Sequence, residues 1–531
     1  MSNTIDTNNW HTVAAVTYEH LNTAILEQKA SPTTWEQEFP DGSASVTGGT
    51  FGPWQIRTAK GNNGTITTFR VPITGGTLTA LGKATLITPC EATVTLHLNF
   101  FDGVDPTKKE LRVDAAGTDD NPTAVVADVL PPIPNGILYS SFKELLQLWL
   151  SANLQSFGAL FATVDLGAEF AHEGLEWLRP SWHGYAVAEL ENGATMQNSI
   201  FGVLCLIDGE TNKAGLADQV SVNAIPPGAD AGFVIAPEKF LQHFLLPGMV
   251  FMFKDISDQD VKGNFVIDND GTRIRSIRDL TLHDFEMENG HKVSNGVVPA
   301  GQFTLQISET ELEITNNGIN FEYSPGIHVI LNSAGRNTLS LDTAHSILTL
   351  NSTLQTGSGS VEISKALDGA LIGLEVAAVV AGAVAAGAKG FGGILSKAAE
   401  PAIAAGGGFS IALTEASGET RILVEEATVS CLRGIISGTA ARVGQIGVRA
   451  AAVARVALAT SGAAAVLPIV TRVLKGIADS DYQNVPKIND LTSSAIGQAV
   501  QWPKGVPEFE LVSAQLNGAL QFGFKAIPAA S

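Results

Sequence analysis

Apolar and polar residues alternate with a period of two along much of this chain. Val94, Leu96, Leu98 and Phe100 are separated by Thr95, His97 and Asn99, and Phe69, Val71 and Ile73 by Arg70 and Pro72. Successive side chains of a strand point to opposite faces, so the pattern predicts antiparallel sheet with one face buried. Strands are expected over 45–58, 66–73, 93–100, 184–189 and 200–207. A hairpin over 265–274 should turn at Asn269-Asp270-Gly271. A meander should follow, with Phe303, Leu305 and Ile307 on one strand, Leu312 and Ile314 on the next, and a turn at Asn316-Asn317-Gly318. Its later strands carry Ile319, Phe321 and Tyr323, then Ile327, Val329 and Leu331, and residues 509–524 read as closing strands.

Other segments carry a helical period. Phe142, Leu145, Leu146, Trp149 and Leu150 fall at i, i+3, i+4, i+7 and i+8, which places them on one face of an amphipathic helix. Trp10, Val13, Val16, Leu21, Ala24 and Ile25 recur at roughly helical spacing and predict an N-terminal helix ending near Ser31-Pro32. A helix is expected over 237–246, with Pro237 in its first turn, and another around Leu491, Ala495, Ile496 and Ala499. Residues 103–136, with Asp119-Asp120-Asn121-Pro122 and Pro131-Pro132, read as a long loop or an excursion at a sheet edge.

Between these β-patterned regions lies a block with a different composition. Residues 376–388 are only Ala, Val and Gly, and the Ala/Gly-rich run extends from 366 to 408. Residues 427–478 contain Arg433, Arg442, Arg449, Arg455, Arg472 and Lys475 and no Asp or Glu. The run Thr356-Gly357-Ser358-Gly359-Ser360 marks a boundary before the block. Three regions are therefore expected: an α+β body over 1–362, an Ala/Gly-rich helical insert over 363–479, and a C-terminal helix and strands over 480–531 that complete the body. Two readings of the insert stay open. It can be a tightly packed helical hairpin, since Gly369 and Gly373 let helix backbones approach closely, or a membrane-facing device. Alanine is only weakly apolar and Glu375 interrupts the run, so a membrane span is marginal. Arg442, Arg449 and Arg455 can meet lipid headgroups or a bilayer surface, at about 1 kcal/mol each near an anionic surface. They can equally neutralise the acidic remainder of the chain.

Composition narrows the function. The chain has 531 residues, 45% of them hydrophobic and 16% charged, with a net charge of −21. That charge repels nucleic acid, and no stretch interleaves basic residues with stacking aromatics, so nucleic acid is not an expected partner. Cys90, Cys205 and Cys431 are widely separated, which argues against a disulfide framework or a zinc site. The opening residues Met1 to Asp6 are polar, not a basic leader followed by an apolar core. The expected location is therefore the cytoplasm, or outside the cell after export without a classical signal peptide.

No catalytic constellation emerges. His172-Glu173-Gly174-Leu175-Glu176 lacks the second histidine of a zinc-protease helix, and Trp177, Trp182 and His183 beside it read as a half-buried aromatic cluster. Residues 382–389 resemble a phosphate loop with one extra residue but lack the following Ser or Thr. Asp268-Asn269-Asp270-Gly271 carries too few oxygen ligands for a calcium loop. No Gly-x-Ser-x-Gly elbow occurs. The expectation is a protein that is not an enzyme, with no cofactor and no metal.

Several short stretches together resemble the clostridial forty-seven-kilodalton protein family encoded beside botulinum neurotoxins. They are Trp10 with its neighbourhood, Gly49-Thr50-Phe51-Gly52-Pro53-Trp54-Gln55-Ile56, residues 233–248 (FVIAPEKFLQHFLLPG), and the C-terminal stretch from Trp502-Pro503-Lys504 to Leu516-Asn517-Gly518. The resemblance implies a tubular lipid-binding (TULIP) fold, in which long helices are wrapped by a strongly bent antiparallel sheet around an apolar channel. It also implies an accessory protein that interacts with lipid. The resemblance brings no functional motif, so channel residues are assigned from amphipathic faces: Val13, Val16, Leu21 and Ile25 on the first helix, and Phe142, Leu145, Leu146 and Trp149 on the second. The expected function is binding of lipid or another hydrophobic molecule in an apolar groove, without catalysis. Protein partners from the same gene cluster are expected beside it. The alternative is a membrane-active or assembly component of a toxin-like complex that acts through the insert.

Overall fold

The computed structural model describes residues 4–363 and 492–528 apart from short breaks, the longest being 117–122. Between 364 and 491 it describes only the strands Ser410–Glu415, Gly418–Leu423 and Gln445–Ile446.

Strands dominate these residues, and they form four main sheets. Sheet I has the order Phe509–Leu516, Leu520–Ala526, Ala231–Ile235, Thr12–Thr17, Ile200–Ile207, Pro180–Ala188, Asn63–Gly64. All its pairings are antiparallel, so the N-terminal strand lies at the centre and the C-terminal hairpin at one edge. Thr12–Thr17 and Ile200–Ile207 are buried at every position. One face carries Val16, Phe201, Val203 and Phe233 into the main core, and the other buries Val13, Ala15, Leu204 and Val234 under the loop containing Val220 and Ala224. That loop lies directly on the backbone of Gly232, where a Cβ would sit 2.1 Å from the Ala224 carbonyl oxygen.

Sheet II runs Ala124–Leu130, Cys90–Leu96, Thr67–Ala80, Ala44–Phe51, Thr34–Glu38. Its one-sided burial matches the alternation in the sequence. Sheet III runs Val500–Gln501, Ala162–Asp165, Lys108–Val113, Leu98–Asp102. Sheet IV is built on the long strands Glu311–Ser324, Ile327–Asp342 and Ile347–Ile363.

Long helices wrapped by a strongly bent sheet, the expected TULIP-like α+β architecture, are not what the chain forms. Among the described residues the first helix, α1 (Tyr18–Gln28), has 11 residues, and the longest, α2 (Gly136–Asn153), has 18. α2 lies on one face of sheet II, where it buries Phe142, Leu145, Leu146, Trp149 and Leu150. The expected N-terminal helix is a strand followed by a helix. Thr12-Val13-Ala14-Ala15-Val16-Thr17 is buried on both faces, and a short apolar run of that kind has no period by which to distinguish strand from helix. The side chain of Thr17 then caps α1 by accepting from the His20 amide at 3.5 Å.

The Ala/Gly-rich run over 366–408, on which the helical insert is expected, lies outside the described residues. The described residues within 363–479 are strands, and Ser410–Glu415 pairs in parallel with Ile347–Ile363. The rest of that block lies outside the described residues. The Gly/Ser run at 356–360 sits inside the strand Ile347–Ile363. Residues 103–136 contain the strands Lys108–Val113 and Ala124–Leu130, not a loop alone. Asn316-Asn317-Gly318 is a bulge within Glu311–Ser324, where the register shifts and Gly318 takes a φ of 68°. The hairpin turn at Asn269-Asp270-Gly271 forms as expected, with all three residues at positive φ. Among the described residues, no helix is long and apolar enough to cross a membrane.

Candidate binding site

The alternating run from Val94 to Phe100 is interrupted at His97, and a cavity lies near the strands that follow the break. Cys90–Leu96 ends in sheet II, and Leu98–Asp102 opens sheet III. Tyr185 from sheet I holds the crossing, since its hydroxyl accepts from the Leu98 amide at 3.1 Å and donates to the Thr65 carbonyl at 2.9 Å. The chain then returns through Lys108–Val113 into Asp114-Ala115-Ala116. The turn that follows α2 faces this segment, where the Arg112 guanidinium donates to the Gly158 carbonyl at 3.0 Å.

A cavity of about 430 Å³ lies between the two walls. Its apolar lining comes from Phe101, Val113, Ala115, Ala116, Phe157 and Gly158, and Arg112, Asp114 and Gln155 also border it. Arg112 is braced by Glu110 at 2.8 Å, and Asp114 is held by the Ala116 amide at 2.9 Å and by Asn99. The Phe157 ring belongs to an aromatic nest. Its centroid lies 4.8 Å from Trp54, 5.7 Å from Phe69 and 6.3 Å from Phe161. The nest continues through Phe51 and Trp35 to Phe142 and Trp149. The volume is within the usual range for small-ligand sites, about 300–1,000 Å³. The lining can solvate an apolar group and offers a guanidinium and an amide to a polar end.

A second concentration of polar side chains surrounds Asp208, which takes a φ of 66° at the end of Ile200–Ile207. Its Oδ2 accepts from Lys239 Nζ at 3.1 Å, Gln242 Nε2 at 3.0 Å and His243 Nε2 at 3.0 Å. The three donors come from one short helical segment, α3 (Pro237–Phe240) and its continuation Leu241–Leu245. The His243 ring stacks on Trp177, with centroids 4.2 Å apart and planes 7° apart. Burial pushes the His243 imidazole down to about 4, against the pull of Asp208. His11 falls to about 4 as well, through burial and the nearby charge of Lys239. Burial works to raise the Asp208 carboxyl, but Lys239 and His243 hold it below its usual value. This cluster fastens the segment to sheet I and contains no hydroxyl or thiol side chain. No group of three His, Cys, Asp or Glu side chains that could hold a metal occurs among the described residues.

The residues singled out in the sequence do not converge on the cavity. Val13 packs in the smaller core behind sheet I, and Val16, Leu21 and Ile25 pack in the main core. Phe142, Leu145, Leu146 and Trp149 are also buried in the main core, and none of the eight borders the cavity. Arg442, Arg449, Arg455 and the segment 171–174 lie outside the described residues. Trp177 and Trp182 belong to separate clusters, for Trp182 stacks on His183 beneath the ammonium of Lys213. Arg273 and Arg275 occupy the carboxylate of Asp268 at 2.6 and 2.9 Å.

Comparison with known proteins places these features in a family context. A sequence model described as "OrfX-like: Protein OrfX2/OrfX3/P47" matches residues 7–409. Protein OrfX3 of Paraclostridium bifermentans is 29% identical over 287 residues, covering 48% of this chain and 56% of that protein. Protein OrfX3 of Clostridium botulinum (strain Kyoto / Type A2) is 27% identical over 267 residues, covering 45% and 53%. The chain thus spans about half the length of these relatives. The structures of P47 from C. botulinum A2 and E1 are similar in fold, with TM-scores of 0.59 and 0.56 at 14% and 12% identity. Each comparison covers 98% of this chain and 99% of the other.

Proposed function

Because this chain belongs to the OrfX-like family of toxin-gene-cluster proteins, we propose that it is a non-catalytic accessory protein that holds a hydrophobic ligand in the Phe101–Phe157 cavity. The reading rests on one observation: apolar side chains line a cavity of ligand size, with Arg112 and Gln155 at its border. An acyl chain of a lipid fits this chemistry, with its carboxyl or ester group toward Arg112. Binding would draw on apolar area removed from water, at about 25 cal/mol per Å². Protein partners encoded in the same cluster belong to the same proposal. The alternative, an insert over 363–479 that engages a membrane, depends on residues outside those described.

A fluorescent fatty acid, dansyl-undecanoic acid, tests the cavity. A Cβ on Gly158 would meet nothing within 4 Å, so Gly158→Phe can fill the space without displacing backbone. The expected result is saturable binding to the wild type and a loss of about tenfold or more in the variant, since a filled pocket forfeits the burial that drives binding. Equal affinity in the two proteins would refute the site.

A further inference from the structure

The charges around the cavity decide which polar end its ligand can carry, and this step rests on the proposed function above. Two charged side chains border the cavity, Arg112 and Asp114. Glu110 and Arg112 stand two apart on Lys108–Val113, so their side chains share a side of the strand and meet. The guanidinium is thereby matched: Nε donates to Glu110 at 2.9 Å, and Nη2 lies 2.8 Å from the same carboxylate. Its Nη1 donates to the Gly158 carbonyl at 3.0 Å. Asp114 has no such match. Its carboxylate accepts from two uncharged donors, the Ala116 amide at 2.9 Å and Asn99 Nδ2 at 3.3 Å. The other cations of this wall are engaged elsewhere, Lys109 with Asp102 and Lys108 with Asp165 at 3.9 Å. Glu110, Arg112 and Asp114 together therefore leave one net negative charge at the border, and it sits on Asp114.

A free fatty acid would bring a second carboxylate beside Asp114, toward a guanidinium whose charge Glu110 already balances. A neutral ester carbonyl can still accept an N–H of Arg112, and a cation can lie against Asp114. We propose that the cavity selects an acyl ester with a cationic head, a primary amine or a quaternary ammonium, and that Asp114 determines this specificity. The acyl chain lies against Phe101, Val113 and Phe157, and the ester carbonyl faces Arg112. Phe101 is 38% exposed and offers such a head an aromatic face, which attracts cations. The Arg112 and Glu110 side chains are 38% and 26% exposed, so water screens these charges and the discrimination is modest.

Three probes with one acyl chain test the head: decanoylcholine, 1-decanoylglycerol and decanoate, each displacing dansyl-undecanoic acid below its critical micelle concentration at low ionic strength. Decanoylcholine should bind about fivefold more tightly than the neutral glycerol ester, the scale of one exposed ion pair, and decanoate should bind least tightly. Asp114→Asn keeps an oxygen for the Ala116 amide and should abolish the preference while 1-decanoylglycerol binds as before. Asp41→Asn removes the same charge from a turn that does not border the cavity and should preserve the preference. That control separates the site from the general pull of a chain of net charge −21 on cations. Added salt should shrink the preference in the wild type, a measurement that needs no variant. Equal affinity for decanoylcholine and 1-decanoylglycerol in the wild type, or a preference that survives Asp114→Asn, overturns the inference and leaves the cavity standing. Binding of dansyl-undecanoic acid indifferent to Gly158→Phe overturns instead the reading on which the inference rests.

Discussion

Acid should destabilise this protein through His243, and the size of the effect follows from where the ring sits. The side chain is 16% exposed, stacked on Trp177, and joined to Asp208 through Nε2. In the unfolded chain the imidazole titrates near its usual value of 6.5, and in the fold burial lowers it to about 4. Between those values the unfolded chain binds more protons, so stability falls as pH falls through this window. The contribution is fully present above pH 6.5 and fully lost by about pH 4. Integrated from pH 7 to pH 5, the loss is about 2 kcal/mol for this one group. His243→Phe keeps a ring on Trp177 and leaves Asp208 with Lys239 and Gln242. Urea denaturation of wild type and variant at pH 7 and pH 5, followed by tryptophan fluorescence, measures the difference. The wild type should lose about 2 kcal/mol more than the variant between the two pH values. Equal losses, or a wild type that gains on acidification, would mean that Asp208 and the Trp177 face stabilise the imidazolium enough to overcome burial.

Asp208→Ala should cost about 1–2 kcal/mol in the same denaturation assay, because Lys239, 8% exposed, would lose its paired carboxylate, which is itself 26% exposed and partly screened by water. Leu81 takes a φ of 53° in the tight turn between Thr67–Ala80 and Lys83–Leu86, where Asn or Gly is favoured. Leu81→Asn should therefore raise stability by about 1 kcal/mol, read as a higher urea midpoint. A lower midpoint would refute the strain. Gly232→Ala should destabilise by about 3 kcal/mol or prevent folding, because the new Cβ meets the Ala224 oxygen at 2.1 Å. Trp149→Ala should cost about 3–5 kcal/mol in thermal or urea unfolding, since α2 would lose its largest contact with Trp35 and Phe51.

The β body was legible where one face of a sheet is buried and the other is wet. Cys90–Leu96 and Phe303–Ser308 alternate in burial at every position, as their sequences do. α2 was legible for the related reason that its apolar residues occupy a single stripe. Thr12–Thr17 was not, because a strand covered on both faces needs no alternation. The cavity was hidden by the assignment of 103–136 to a loop or edge excursion, which concealed the wall that carries Arg112 and Val113. Phe101 and Phe157 stand 56 positions apart in the chain, and neither sits in a motif. Only the placement of aromatic residues in both segments offered a signal.

Local alternation, turn chemistry and amphipathic spacing determined by themselves that the chain builds sheets, where several hairpins turn, and which face of α2 is apolar. They also made a phosphate-loop or zinc-protease reading untenable, since those chemistries demand particular residues at particular spacings. Which strands share a sheet was decided in three dimensions. His97 sends one alternating run into two sheets, and Thr12–Thr17 becomes the centre of a sheet closed by the C-terminal hairpin. The grouping of Asp208 with Lys239 and His243, the stack on Trp177, and the meeting of Phe101 with Phe157 arise the same way. Such contacts join residues far apart in the chain, and their energies come from burial and geometry, which no local period encodes.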